Sequence, residues 1–334
     1  MNVDLALVWA ALIAFAVLAY VVMDGFDLGV GILFLRVRGR AKRDVMMNSV
    51  APVWDGNETW LVLGGGGLFA VFPLAYAVIM PALYAPIVAM LLGLIFRGVA
   101  FEFRWRAVGR HYWWDWAFAV GSIVAAFAQG VALGALVQGI AVDGRAYAGG
   151  WWDWATPFSM LTGVALVTGY ALLGATWLVL KTTGDLRDQA RTMARNTAIG
   201  TLALIAGVSI ATPFLNPAYL ERWFSLPSLA FTFVVPGLVG LAAWRLFAGL
   251  SRGRDAQPFF AALAIFVLCF AGILISFYPY LVPPTLTLWA AAAPEASLKF
   301  LLVGAAVLIP LILAYTGYAY WVFRGKVDAS AGYH

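Results

Sequence analysis

Apolar runs of 20 residues and more recur along this chain. A helix rising 1.5 Å per residue needs about that length to cross the hydrocarbon core of a membrane, whereas a barrel strand needs only about 9–11 residues. In lipid every backbone N–H and C=O must be satisfied internally, so runs of this length fold as a bundle of spanning helices. Composition agrees: 63% of the 334 residues are hydrophobic, 11% are charged, and the mean hydropathy is +0.89. Soluble domains carry about 25% charged residues. Residues 1–35 lack a basic leader and a small-x-small cleavage site, so they read as a first span rather than a removable signal peptide.

The pattern gives a single integral membrane domain over 1–334, with nine spans at 5–35, 54–77, 79–102, 114–140, 158–181, 197–214, 228–250, 257–281 and 298–323. Pro73 and Pro81 crowd the turn between the second and third, where a helix cannot continue without losing a hydrogen bond. Of the 21 lysines and arginines, all but Arg145, Arg222 and Lys299 fall after or at the ends of spans one, three, five, seven and nine. An even number of spans separates these basic stretches, so one topology satisfies them together. The positive-inside rule then puts the C-terminus in the cytoplasm and the N-terminus outside. The net charge of +5 reflects these loops and does not imply nucleic acid. The opposite loops carry Trp151, Trp152, Trp154, Trp223, Tyr278, Tyr280 and Trp289, as interfacial anchoring requires. A faint internal repeat matches Tyr20–Asn48 to Tyr170–Asn196, suggesting halves at about 1–150 and 151–290 followed by the final span.

Five acids lie inside or at the edge of these spans: Asp24, Asp27, Asp55, Glu58 and Glu102. A carboxylate in hydrocarbon costs about 2.5–3.5 kcal/mol on insertion scales, so each is a functional-site hypothesis. Asp24 precedes Arg36 by twelve residues, which places it roughly 18 Å from the basic edge. Asp27 shares its helix face one turn nearer the cytoplasm. Asp55 and Glu58 repeat the spacing at the start of span two, and Glu102 ends span three with Arg97 and Arg104 as nearby counter-ions. The acids therefore occupy the cytoplasmic half and form a ladder suited to protons. The structural alternative has Asp55 or Asn57 capping a helix and Glu102 pairing with an arginine. Gly25, Gly29 and Gly31 permit close helix packing, and the Gly64–Gly67 run loosens span two or admits a partner helix. Cys269 lies alone in an apolar run. The two histidines, His111 and His334, leave no bis-His haem, copper or zinc site inside the chain, so any redox cofactor belongs to a partner.

Several segments resemble subunit II of the cytochrome bd family of quinol oxidases. They are MDGFDLGVG at Met23–Gly31, NSVAPVWDGNE at Asn48–Glu58, FRGVAFEFR at Phe96–Arg104, WDW at Trp114–Trp116, FYPYLVPP at Phe277–Pro284 and YTGYAYW at Tyr315–Trp321. The similarity covers essentially the whole chain. The short length and the Ser276–Pro284 stretch are more similar to the cyanide-insensitive branch than to the longer enterobacterial type. Glu at 102 stands where some members have Asp, and Met23 where some have Thr.

The resemblance implies an all-α polytopic fold of nine transmembrane helices, arranged as two four-helix bundles plus a peripheral helix, in the bacterial inner membrane. It implies a non-catalytic subunit, binding no cofactor directly, of an enzyme that oxidises quinol and reduces dioxygen to water. Two haems b, haem d and the quinol site belong to subunit I as partner. A structural quinone and small single-span accessory subunits occur in some members. Carboxylates matching Asp24, Asp55 and Glu102 line a proton path from the cytoplasm, with Asp27, Glu58, Asn57, Arg97 and Arg104 in support. Trp60 lies in a region associated with dioxygen access. The alternatives are a proton-coupled secondary transporter, which membrane acids and a repeat would suit, and a scaffold whose acids serve only assembly.

Overall fold

The computed structural model describes residues 4–107, 109–225 and 232–327. Its helices are α1 (Leu5–Leu33), α2 (Arg40–Asn48), α3 (Trp54–Val71), α4 (Pro73–Ala82), α5 (Tyr84–Arg106), α6 (His111–Gln138), α7 (Pro157–Lys181), α8 (Gly184–Ala211), α9 (Pro217–Phe224), α10 (Val234–Ser251), α11 (Ala256–Phe277), α12 (Leu288–Ala291) and α13 (Glu295–Val322). Two short antiparallel hairpins, Val142–Asp143 with Ala146–Tyr147 and Tyr280–Val282 with Leu286–Thr287, lie between them. Eight of the described helices are long and apolar enough to cross a membrane. The pair α3 and α4, bent by 120° at Phe72, brings the number to nine when the two are counted as one broken span. Pro73 has no N–H to continue the ladder and disfavours helical backbone in the residue before it, so α3 ends at Val71 and Pro73 opens α4.

Helix α1 packs against α3, α6 and α7, while α5 pairs with α6, α7 with α8, and α10 with α11. One bundle is therefore α1, α3, α5 and α6, and the other is α7, α8, α10 and α11. Helix α13 touches α1 and α3 from outside and buries only Leu298 fully. The two bundles meet where α1 crosses α7 with backbone against backbone. A Cβ on Gly29 would lie 1.8 Å from the Tyr170 carbonyl oxygen, and one on Gly174 would lie 2.2 Å from the Gly29 carbonyl carbon. Only glycine permits that approach. Gly65 and Gly66 face open space within a continuous α3, so this part of the glycine run admits no helix within the chain.

Several helix ends differ from the sequence reading. The sixth span begins at Gly184 rather than 197, so Arg187, Arg191 and Arg195 ride on α8 and not on a loop. Helix α5 runs to Arg106 rather than 102 and so encloses Arg104 and Arg106 as well as Arg97. Apolar periodicity locates the lipid-spanning part of a helix and is blind to polar turns that extend it. The start of the seventh span, 228–231, lies outside the described residues.

The basic stretches meet at one end of the molecule. Arg43 and Arg104 both bind Asp115 (2.8 and 2.6 Å), Arg104 binds Asp44 (2.7 Å), and Lys42 pairs with Asp185. At the other end Asp4 caps α1 through the Leu7 N–H and accepts from the Trp289 indole at 2.7 Å. Those bonds hold the Asp4 carboxyl below its ordinary value, the Trp289 bond most.

Candidate functional site

The first bundle closes around Arg97. Helix α5 delivers the guanidinium, α1 delivers Asp24 and Asp27 one turn apart, and α3 delivers Asn57 and Glu58. Arg97 Nη1 lies 2.8 Å from Asp24 Oδ1 and donates to Glu58 Oε1 at 2.8 Å, and Nη2 lies 3.8 Å from Asp27 Oδ2. Asp24, Asp27 and Arg97 are fully buried, and the Glu58 side chain retains 25% exposure. The indole of Trp54 and the ring of Phe101, stacked on each other, each lie 6.0 Å from the guanidinium. Three carboxylates, two of them fully buried, thus share one buried cation.

Polar arms leave the cluster in two directions. Asn57 donates to Asp27 Oδ2 at 2.6 Å and accepts from the Tyr320 hydroxyl at 3.0 Å, which brings in α13. On the other side Tyr20 interacts with Asp24, accepts from Gln129 Nε2 at 2.7 Å, and Gln129 Oε1 accepts from Tyr170 at 2.9 Å. Tyr20 and Tyr170, the opening residues of the two repeat segments, therefore meet at one glutamine of α6. Asp27 Oδ1 and Arg97 Nε have no hydrogen-bond partner among the described residues. The cluster holds buried polar capacity beyond what its own side chains satisfy.

The residues singled out from sequence separate in space. Asp24, Asp27, Asn57, Glu58 and Arg97 converge. Trp60 is buried beside Tyr20 and stands edge-on to Phe15 at 5.6 Å, one turn along α3 from Asn57. Asp55 and Glu102 are exposed. Arg97 and Arg104 are not the counter-ions of Glu102: both turn inward, Arg97 to the acids and Arg104 to Asp44 and Asp115. Glu102 instead faces Arg106 at 3.6 Å, with 58% of its side chain exposed. Neither Asp55 nor Asn57 caps a helix, because α3 starts at Trp54 without a side-chain cap and Asn57 is committed to Asp27. Replacing Glu102 by Gln is expected to change thermal stability by less than about 0.5 kcal/mol, since exposed pairs contribute little. A melting curve of the purified protein checks this.

Tyr20, Gln129, Tyr170 and Tyr320 were not found by sequence reasoning. One signal was available: an amide in the middle of an apolar run has to find a buried partner. Among the described residues the only histidine is His111, at the start of α6, so two axial imidazoles are not available within these spans.

Residues 5–323 match the family described as cytochrome bd terminal oxidase subunit II. The chain is 32% identical to the probable cytochrome oxidase subunit 2 of Haemophilus influenzae, over 98% of this chain and 96% of that one. It is 31% identical to the cytochrome bd-I ubiquinol oxidase subunit 2 of Escherichia coli K12, covering 97% and 95%. For the cytochrome bd ubiquinol oxidase subunit 2 of Bacillus subtilis the figures are 30%, 96% and 96%. The fold is similar to a chain of the bd oxidase from Geobacillus thermodenitrificans, with a TM-score of 0.76 at 19% identity over 96% of this chain and 99% of that one.

Proposed function

We propose, from the premise that this chain belongs to the cytochrome bd terminal oxidase subunit II family, that its Arg97-centred acid cluster passes protons from the cytoplasm toward a haem-bearing subunit I. As a family member it is a subunit of a membrane-bound quinol oxidase. Full-length membership favours this reading over a proton-coupled transporter. The quinol site, two haems b and haem d belong to subunit I, and this subunit supports them structurally. The C-terminus and the joined basic end face the cytoplasm, as the positive-inside rule requires.

The observation that carries the proton path is the excess of carboxylates over cations at a buried site. An unbalanced buried charge is relieved by binding a proton, and a group that exchanges protons between solvent and interior must be reachable from both. The side chains are graded in that way. Asp55 and Glu102 are exposed at the basic end, Glu58 is partly exposed and touches Arg97, and Asp24 is fully buried on the same guanidinium. Protons enter at Asp55 or Glu102, pass Glu58 and reach Asp24, with Arg97 holding the acids in register and Asn57 orienting Asp27.

The test is quinol-dependent oxygen consumption by the complete oxidase carrying Asp24→Asn or Asp55→Asn. Turnover is expected to fall by at least about tenfold for Asp24→Asn, because proton-transfer groups typically contribute more than that, and by less for the exposed Asp55. Haem absorption should stay unchanged. Normal turnover in both variants would remove the proton path, and loss of haem would make the acids structural.

A further inference from the structure

Helix α13 is the most weakly packed long helix, yet it supplies a side chain to the most buried site. Its 28 residues bury only Leu298 fully, while Tyr320, near its cytoplasmic end, donates to Asn57 and through it fixes Asp27. Edge-on packing of its ring on Phe26 at 6.4 Å does not by itself tie down the end of a loosely packed helix. The segment just beyond Tyr320 does. Residues Phe323–Val327 lie across the end of α7 as a strap. Lys181 Nζ donates to the carbonyls of Phe323 and Gly325 (2.8 Å to the latter), and the Val327 N–H donates to the Lys181 carbonyl at 2.8 Å. Lys326 Nζ donates to the carbonyls of Val179 (3.1 Å) and Thr182 (3.0 Å) and to Asp255 Oδ2 at 2.8 Å. The terminal carbonyls of α7, which have no partners within the helix, are capped by a segment more than 140 residues away, and a cation suits that helix end. Asp255 completes the anchor by taking Arg187 and Arg191 at 2.8 and 2.9 Å. Burial pushes its carboxyl up, but the bond and charge of Lys326 and Arg187 outweigh that and hold it below the ordinary range, so it is ionised at neutral pH.

We infer that Tyr320 is a positioning residue for the acid cluster, and that the Lys181–Lys326–Asp255 strap keeps it there. This rests on the proton-path reading above. Tyr320 orients the Asn57 amide so that its NH2 faces Asp27. The charged and titratable groups around Asp27 are Asp24 on α1, Glu58 on α3, Arg97 on α5 and Tyr320 on α13. Without the tyrosine hydroxyl the amide is free to turn, and Asp27 loses a donor.

The test is a double-mutant cycle in the complete oxidase with Tyr320→Phe, Asp255→Asn and the two together, beside Asp24→Asn as reference. Tyr320→Phe is expected to lower turnover about fivefold, the size of one buried hydrogen bond. Its pH profile should differ from that of the unaltered enzyme, a change that lost packing alone would not produce. Asp255→Asn should show a smaller loss in the same direction, and the double variant should be no worse than Tyr320→Phe. Lys326→Gln provides a second way to loosen the strap if Asp255→Asn does not assemble. Normal turnover and pH profile in Tyr320→Phe, with Asp24→Asn impaired, would overturn the positioning role and leave the proton path standing. Losses that multiply in the double variant would overturn the link through the strap. Normal turnover in Asp24→Asn would instead remove the underlying reading.

Discussion

Arg97→Met is expected to abolish accumulation of the assembled protein. The guanidinium is fully buried and is the only cation in contact with Asp24, Asp27 and Glu58 among the described residues. Removing one partner of a buried ion pair costs about 3–5 kcal/mol, because the other charge stays desolvated without compensation. Here three carboxylates lose a shared partner, and total stability is only about 5–15 kcal/mol. The rings of Trp54 and Phe101 would also lose the cation they flank. The cause can be separated from simple loss of volume. Arg97→Met combined with Asp24→Asn and Asp27→Asn removes most of the excess negative charge and should restore part of the yield in detergent. Equal loss in the single and triple variants would show that Arg97 matters for packing and not for charge.

Gly29→Val and Gly174→Val should each separate the two bundles. Inserting methylenes into a packed core typically costs about 1–3 kcal/mol when side chains can move aside. At this crossing they cannot. The new Cβ at Gly29 would meet the Tyr170 carbonyl oxygen at 1.8 Å, and that at Gly174 would meet the Gly29 carbonyl carbon at 2.2 Å. Helix α1 must then shift away from α7, pulling Tyr20 away from the glutamine that Tyr170 also binds. Expression followed by size-exclusion chromatography should show aggregated or degraded chain for both. Gly65→Ala is the control: its Cβ meets nothing within 4 Å, and alanine favours helix by about 1 kcal/mol over glycine. A well-behaved Gly29→Val protein would mean that the close crossing does not hold the bundles together.

The spans and acids were legible in the sequence because their signals are local. A run of apolar residues states its own length, and a carboxylate such as Asp24 within it states its own cost. The pairing of basic stretches at one end was legible through the alternation of Lys and Arg between spans. The partnerships were not. Arg97 was grouped with the basic stretch at the end of its span in the sequence reading, because periodicity does not say which way a side chain turns or that α5 continues for one more polar turn. The inward turn of Arg97 and outward turn of Glu102 depends on a helix phase fixed by packing against α6. Tyr320 lies 263 residues from Asn57, and nothing local marks it as different from the exposed Tyr315 and Tyr318 on the same helix. Likewise the 120° bend at Phe72 was foreshadowed by Pro73, but the proline marks where a helix stops and not where the chain goes next.

The most direct measurement is proton uptake from the cytoplasmic side during quinol oxidation, followed with a pH dye in vesicles containing the complete oxidase. With Asp24→Asn, uptake and oxygen consumption should fall together by at least about tenfold while the haem spectrum and subunit yield stay those of the unaltered enzyme. Undiminished uptake in that variant would contradict the claim that protons pass through the Arg97 cluster.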